Sequence, residues 1–298
     1  MIHQNILRYR GSAYLWWALG LIVFSFAIYA LPTGAQPRNG GTWQGYLLGT
    51  LGAVLIVWLA LLGIRKRRYG TAGSTVQGWA SAHVYLGTAL LVTATLHAAF
   101  QIGWNVHSLA YVLMCLVILS GVYGVYAYLS NPRKMARSRA GGSRESLFAD
   151  LFALDAQGRR LAEACDAEVR VAVESSIART QLGGGVWAQL TGRDGSRFLR
   201  RDAASGSSTA SAPVANRDQA AVIAFVAARL PRATKRTEAS NLQDLLAVLT
   251  RRQAVLRRIR RDIRLQGALK IWLYVHVPMT IALLGALVVH VVVTFLYW

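Results

Sequence analysis

The chain has 298 residues, 54% of them hydrophobic, and a formal net charge of +20. The charge is segregated: all 13 acidic residues lie between Glu145 and Asp262, and no Asp, Glu, Lys or Arg occurs from Tyr69 to Pro132. An uncompensated charge in hydrocarbon is costly, so this pattern excludes an ordinary water-soluble domain and indicates an all-α membrane protein.

Five apolar segments, 13–31, 46–64, 80–102, 109–129 and 271–298, reach the roughly 20 residues that span a bilayer. They predict a five-helix transmembrane bundle. Its parts are four helices in 1–132, a mostly helical insert in 133–269, and a fifth helix in 270–298. The first segment has Arg8 and Arg10 ahead of it and Ala35 behind, as a signal peptide would; we expect it to be retained as a helix. The second opens with Gly45, Gly49 and Gly52. Gly45 and Gly49 form a G-x-x-x-G pair that would admit a close neighbouring helix; the competing reading is ordinary glycine abundance in membrane helices.

The third segment carries His83, Gly87 and His97. Gly87 is one turn beyond His83, and either leaves room for a porphyrin edge or serves simple helix packing. A polar break from Gln101 to Ser108 includes His107, which is either solvated at the interface or placed beside a quinone or a haem propionate. The fourth segment holds Cys115, Gly121 and Gly124 and ends at Asn131-Pro132. Cys115 and Cys165 fit no paired metal spacing and no C-x-x-C-H occurs, which argues against covalent haem, an iron–sulfur cluster or a structural disulfide.

Within the insert, residues 145–156 predict a short amphipathic helix and 159–178 a helix with some strand character. Residues 186–199 read as a hairpin turning at Asp194-Gly195, 203–215 as a flexible linker, and 218–230 as a helix stopped by Pro231. A longer helix is expected from Ser240, with Gln243 completing a capping box. Leu242, Leu249, Leu256 and Ile263 recur every seven residues, with Arg252 at a seam position. Packing within the chain is the expected use of that stripe, a partner helix or a dimer seam the alternatives. Gly183-Gly184-Gly185 lacks a strand–turn–helix context, and no nucleotide-binding motif is recognisable.

The basic residues predict the orientation. Arg8, Arg10, Arg65–Arg68 and Arg133–Arg139 fall on one side if the N-terminus and insert are cytoplasmic and the C-terminus periplasmic, leaving Arg38 outside. The third and fifth helices then run parallel. The expected location is a bacterial inner membrane, with anionic lipid rather than nucleic acid as the partner of the basic surface.

His83 and His97 are fourteen residues apart, and so are His276 and His290 in the last segment. Fourteen residues is nearly four helical turns, so each pair leaves one helix face, about 21 Å apart along the axis. In parallel helices His83 meets His276 and His97 meets His290. Imidazole is a good axial ligand, and two of them fill both axial positions of a haem iron. The pattern therefore predicts two b-type haems, one near each membrane surface. Packed or interfacial histidines, a proton relay and a non-haem metal site are the competing uses.

The paired histidines resemble those of di-haem b-type membrane cytochromes, a group that includes the cytochrome b subunit of quinol–cytochrome c complexes and the ferric-reductase-like transmembrane proteins. The latter also place their pairs on the third and fifth helices. The similarity covers segments two to five, with His83, His97, His276 and His290 as its motif. It implies transmembrane electron transfer within a respiratory or quinone-linked complex, with a redox partner protein or subunits, quinol as a candidate donor and a homo-oligomer as an option. The chain departs from the group in its large insert before the last span and in showing no flavin domain, so reduction of ferric iron by cytosolic NADPH is not implied. A self-contained metal or quinone reductase and a non-redox membrane scaffold are the two alternatives.

Overall fold

The computed structural model describes residues 6–34, 37–67, 75–139, 142–201 and 211–296. Two compact units are present: residues Met1–Leu129 with Trp272–Trp298, and residues Ser130–Ile271. Among the described residues, five helices are long and apolar enough to cross a membrane: Ile6–Ala30, Trp43–Arg65, Val76–His97, Val106–Asn131 and Arg236–Leu296.

In the first unit, α1 (Ala13–Ala30), α2 (Trp43–Ala60), the short α3 (Leu62–Arg67), α4 (Val76–His97) and α5 (Val106–Arg139) follow in order, and α10 (Arg236–Leu296) supplies the last span. Thr42 caps α2 and Thr75 caps α4, each hydroxyl accepting a first-turn N–H. Helix α4 stops at His97, short of the expected end at 102, because Ala99 and Phe100 take left-handed backbone at φ 46° and 62°. Asn105 then caps α5 by accepting the Ser108 N–H at 2.9 Å. His97 is thus the last residue of its helix and His107 the second of the next.

Helix α4 packs against both α1 and α2. Its buried residues include Gly78, Ser81, Ala82, Ala89 and Thr93, small enough to let backbones approach. Ser25 of α1 and Thr93 of α4, both fully buried, share a hydrogen bond of 2.9 Å. Leu59, Leu90, Met114 and Leu283 form a cluster from α2, α4, α5 and α10. Outward-facing residues are apolar too: Val23, Leu119 and Ile281 are 67%, 66% and 64% exposed. Apolar side chains exposed on three such helices are what a lipid-facing surface requires.

The second unit has α6 (Arg144–Glu163), α7 (Ala167–Ala178), α8 (Val186–Thr191), β1 (Arg197–Arg201), β2 (Ser211–Ala215), α9 (Ala220–Ala227) and the first part of α10. Ser143 caps α6 and Asp166 caps α7, so residues 159–178 are two helices and not one. Val169, Ala172, Val173 and Ser176 are buried at helical spacing while Val171 is not, which settles the helix-or-strand ambiguity there. Val169 and Val173 join Phe198, Val222, Val226, Leu242, Leu245 and Leu249 in one core. The leucine stripe of α10 is therefore used inside the chain: Leu242, Leu249 and Leu256 are all buried.

Arg252 is also buried, at 1% exposure, because Asp155 pairs with it at 2.5 Å while Gln219 and Thr180 accept from its remaining nitrogens. Helix α10 begins at Arg236, so Ser240 lies inside it and caps nothing, and the helix continues past Lys270 and through Pro278.

The expected hairpin over 186–199 is replaced. Residues 186–191 are helical, and β1 pairs with β2 antiparallel, Arg197 opposite Ala215 and Arg201 opposite Ser211. Asp194 still makes the expected turn, its carboxylate accepting the Ser196 N–H at 3.0 Å, but the turn links α8 to β1. Of the expected linker, 203–210 lies outside the described residues and 211–215 is strand.

Candidate functional site

At one end of the membrane-type unit, three histidines converge. The rings of His97 and His290 lie 5.9 Å apart at 79°, and those of His107 and His290 4.6 Å apart at 84°. His97 reaches this position because α2 offers no side chain at Gly49: a Cβ there would stand 2.7 Å from His97 Cε1. The Gly45 carbonyl, one turn earlier, accepts the His97 Nδ1–H at 2.7 Å. The Gly45-x-x-x-Gly49 pair thus admits an imidazole rather than a helix backbone. Gly45 itself has no room for a Cβ beside the Asn39 and Gly40 carbonyls.

The other two histidines have their own anchors. His83 Nδ1 donates to the Leu59 carbonyl of α2 at 3.1 Å. His276 Nδ1 lies 2.6 Å from the Ser120 hydroxyl of α5. Trp272, one turn before His276, has its ring 5.3 Å from that imidazole and donates its indole N–H to the Ser120 carbonyl at 2.7 Å. A Cβ at Gly124 would collide with the Trp272 ring, and one at Gly121 would touch His276 Cε1 at 3.7 Å. The two glycines of α5 therefore seat Trp272 and His276. Gly87 faces Leu59, whose Cδ1 a Cβ would meet at 4.0 Å, an ordinary packing distance.

These contacts set the helix directions inside the unit. Helix α5 meets α10 at Ser120 through His276 and at His107 through His290, so the two are antiparallel. Helix α5 also runs back along α4, where Thr95 and Tyr111 share a hydrogen bond of 2.9 Å. It follows that α4 and the last span are parallel, as the charge distribution predicts. His97 and His290 are brought together directly; the matching of His83 with His276 rests on the equal spacings.

The hydrogen bonds also select tautomers. A carbonyl oxygen can only accept, so a neutral His83 or His97 carries its proton on Nδ1. The Ser120 hydroxyl satisfies both of its contacts when it donates to the Val117 carbonyl at 2.8 Å and accepts from His276 Nδ1. In a neutral ring the coordinating lone pair is then on Nε2. An imidazole whose Nδ1–H is tied to an oxygen and whose Nε2 faces a metal is the usual arrangement of a metal-ligating histidine.

A cavity of about 730 Å³ adjoins the His97 end. Its lining includes Gly49, Gly52, His97, His107, Met114 and His290. Cofactor pockets commonly run from about 300 to 1,000 Å³ and are largely apolar. The residues therefore fit a flat, apolar group held between His97 and His290. Among the described residues, no three of His, Cys, Asp or Glu are grouped to hold a bare metal ion.

Among the described residues, the second unit offers no comparable centre. Burial raises the Cys165 thiol above its ordinary value, with Asp166 and Glu238 adding to the effect, so it stays a thiol. Asp194 is held below the usual carboxylate range. Burial opposes its ionisation, but hydrogen bonds from Ser196 and the Asp218 N–H, together with the Arg260 charge, outweigh that.

Comparison with protein-family models, with curated proteins and with solved structures gives no match for this chain.

Proposed function

We propose that the chain is a di-haem b-type membrane cytochrome that carries electrons across a bacterial inner membrane as a subunit of a quinone-linked or respiratory redox complex. The observation that carries this reading is the set of four imidazoles, each bonded through Nδ1 to a neighbouring helix or helix end. A haem held by two of these imidazoles would supply one-electron chemistry.

His97 and His290 would hold one haem and His83 and His276 the other. The spacing within α4 separates the two levels by about 21 Å along its axis, so electrons would pass from one surface towards the other. The glycines at 49, 121 and 124 give the imidazoles and Trp272 room, and the apolar exterior excludes water. The insert lies in the cytoplasm in this reading, on the side of Arg8, Arg10 and Arg65, and docks a partner without a cofactor of its own. The resemblance to ferric-reductase-like and cytochrome b membrane proteins belongs to this proposal, and so does quinol as electron donor.

The test uses the purified chain in sealed vesicles, with a membrane-impermeant reductant outside and a trapped impermeant oxidant inside. Electrons should reach the oxidant through the wild-type chain and fail to do so through His83→Ala or His97→Ala. A wild-type chain that transfers nothing while holding two haems would contradict transmembrane electron flow.

A further inference from the structure

His107 has a role that its position at a helix start does not foretell. Its Nδ1 lies 2.6 Å from His290 Nδ1, with the two rings nearly perpendicular. That separation is a hydrogen bond and not a packing contact, so one proton sits between the two nitrogens. Two arrangements satisfy it. Either His290 donates and His107 accepts, or the reverse. In the reverse arrangement a neutral His290 carries its single ring proton on Nε2 and cannot bind a metal through that nitrogen.

We propose that His107 is a positioning residue for His290: it accepts the His290 Nδ1 proton and commits that ring to the tautomer whose Nε2 can bind iron. The inference rests on the reading of His97 and His290 as haem ligands. It singles out one end of the unit. His83 and His97 are oriented by carbonyl oxygens, which can only accept, and His276 by the Ser120 hydroxyl, which accepts from it while donating to the Val117 carbonyl. His290 alone is oriented by a second imidazole, whose own tautomer must be complementary. His107 comes from α5 and His290 from α10, so the bond also fixes the last span against α5 at this level.

An acceptor on the far nitrogen raises the basicity of a ligating imidazole and favours the oxidised metal. Removing it should therefore make the midpoint potential of the His97-end haem more positive and leave the other haem where it was.

The experiment is a redox titration with low-temperature EPR of the full-length chain in membranes, the two haems being assigned with His97→Ala and His83→Ala. His107→Phe keeps a ring and loses the acceptor; His107→Asn keeps an acceptor oxygen near the Nδ1 position. The expected result is two haems in both, a more positive His97-end potential and an altered EPR signal in His107→Phe, and values close to wild type in His107→Asn. Should His107→Phe fail to accumulate, His107→Leu is read the same way. An unchanged potential and EPR signal in the acceptor-free variant would overturn the proposal. So would selective loss of that haem in His107→Phe with its retention in His290→Ala, which would make His107 the ligand itself. A wild-type chain without haem would instead sink the underlying reading of the four histidines, and with it this inference.

Discussion

The two ends of the membrane-type unit solve the same problem differently. At the His97 end, one imidazole is tucked against glycine backbone on α2 and the other is held by a further imidazole, beside a large cavity. At the His276 end, a serine hydroxyl and a tryptophan on the preceding turn orient the ring, and α5 gives way through Gly121 and Gly124. Glycine makes room at both ends; what differs is the anchor, backbone and a second imidazole at the first and a serine hydroxyl at the second. Backbone geometry cannot be replaced by a substituted side chain, whereas a lost hydroxyl can be partly covered by water or by relaxation. The His97 end should therefore be the more fragile of the two.

The largest effect expected is from the histidines. His97→Ala or His290→Ala should remove one haem and spare much of the other, and His83→Ala or His276→Ala should do the reverse, as read by haem content per chain. Loss of the same haem from His83→Ala and His290→Ala would show that the parallel pairing is wrong.

Next comes Gly49→Val. Its Cβ would stand 2.7 Å from the His97 ring, and the far side of that bond is backbone that cannot yield easily. Haem at the His97 end should be lost or bound about 100-fold more weakly, the upper range for an outer-shell change, with the other haem intact. Normal binding at both ends in Gly49→Val would remove the distinction between them.

Ser120→Ala removes the acceptor of the His276 Nδ1 proton without changing the space around the ring. We expect about tenfold weaker haem binding at that end, the lower range for such a change, measured by haem retention during dilution. A loss as complete as that of His276→Ala would mean that the serine end is no more tolerant than the glycine end.

The smallest effect lies outside both ends. Asp194 has a folded-state pKa below its ordinary 3.8, so its contribution to stability is full above that value and is lost as pH falls through the lowered one. Asp194→Asn should be less stable than wild type at pH 6, and the gap should close as the pH falls below 3.8 and through the lowered pKa. Thermal unfolding followed at several pH values checks this, with haem spectra at pH 6 unchanged.

How far the sequence could be read follows from which interactions are local. The spans, their directions and the equal fourteen-residue histidine spacings depend on composition and helical period, and the five apolar helices and the closeness of His97 and His290 agree with them. The anchors were not legible. Gly45 is 52 residues from His97, Ser120 is 156 from His276 and His107 is 183 from His290. Gly45-x-x-x-Gly49 was visible as a pair, but nothing in it distinguishes a seat for a helix from a seat for a ring. Gly87, singled out for its position one turn from His83, faces a leucine.

The misplaced hairpin has a similar origin. Asp194-Gly195 carries genuine turn chemistry, but the strand that follows it pairs forward, with Ser211–Ala215, and not back with 186–191. The α10 leucine stripe packs within the chain, as its heptad spacing predicts; the burial of Arg252 within it depends on Asp155, 97 residues away.

The central claim is that four histidines hold two haems, and the most direct measurement is the visible spectrum of the purified full-length chain with a haem count. The account predicts a reduced b-type spectrum and two haems per chain, falling to one in each of the four single histidine variants. A colourless protein, or four variants that each keep two haems, would contradict it.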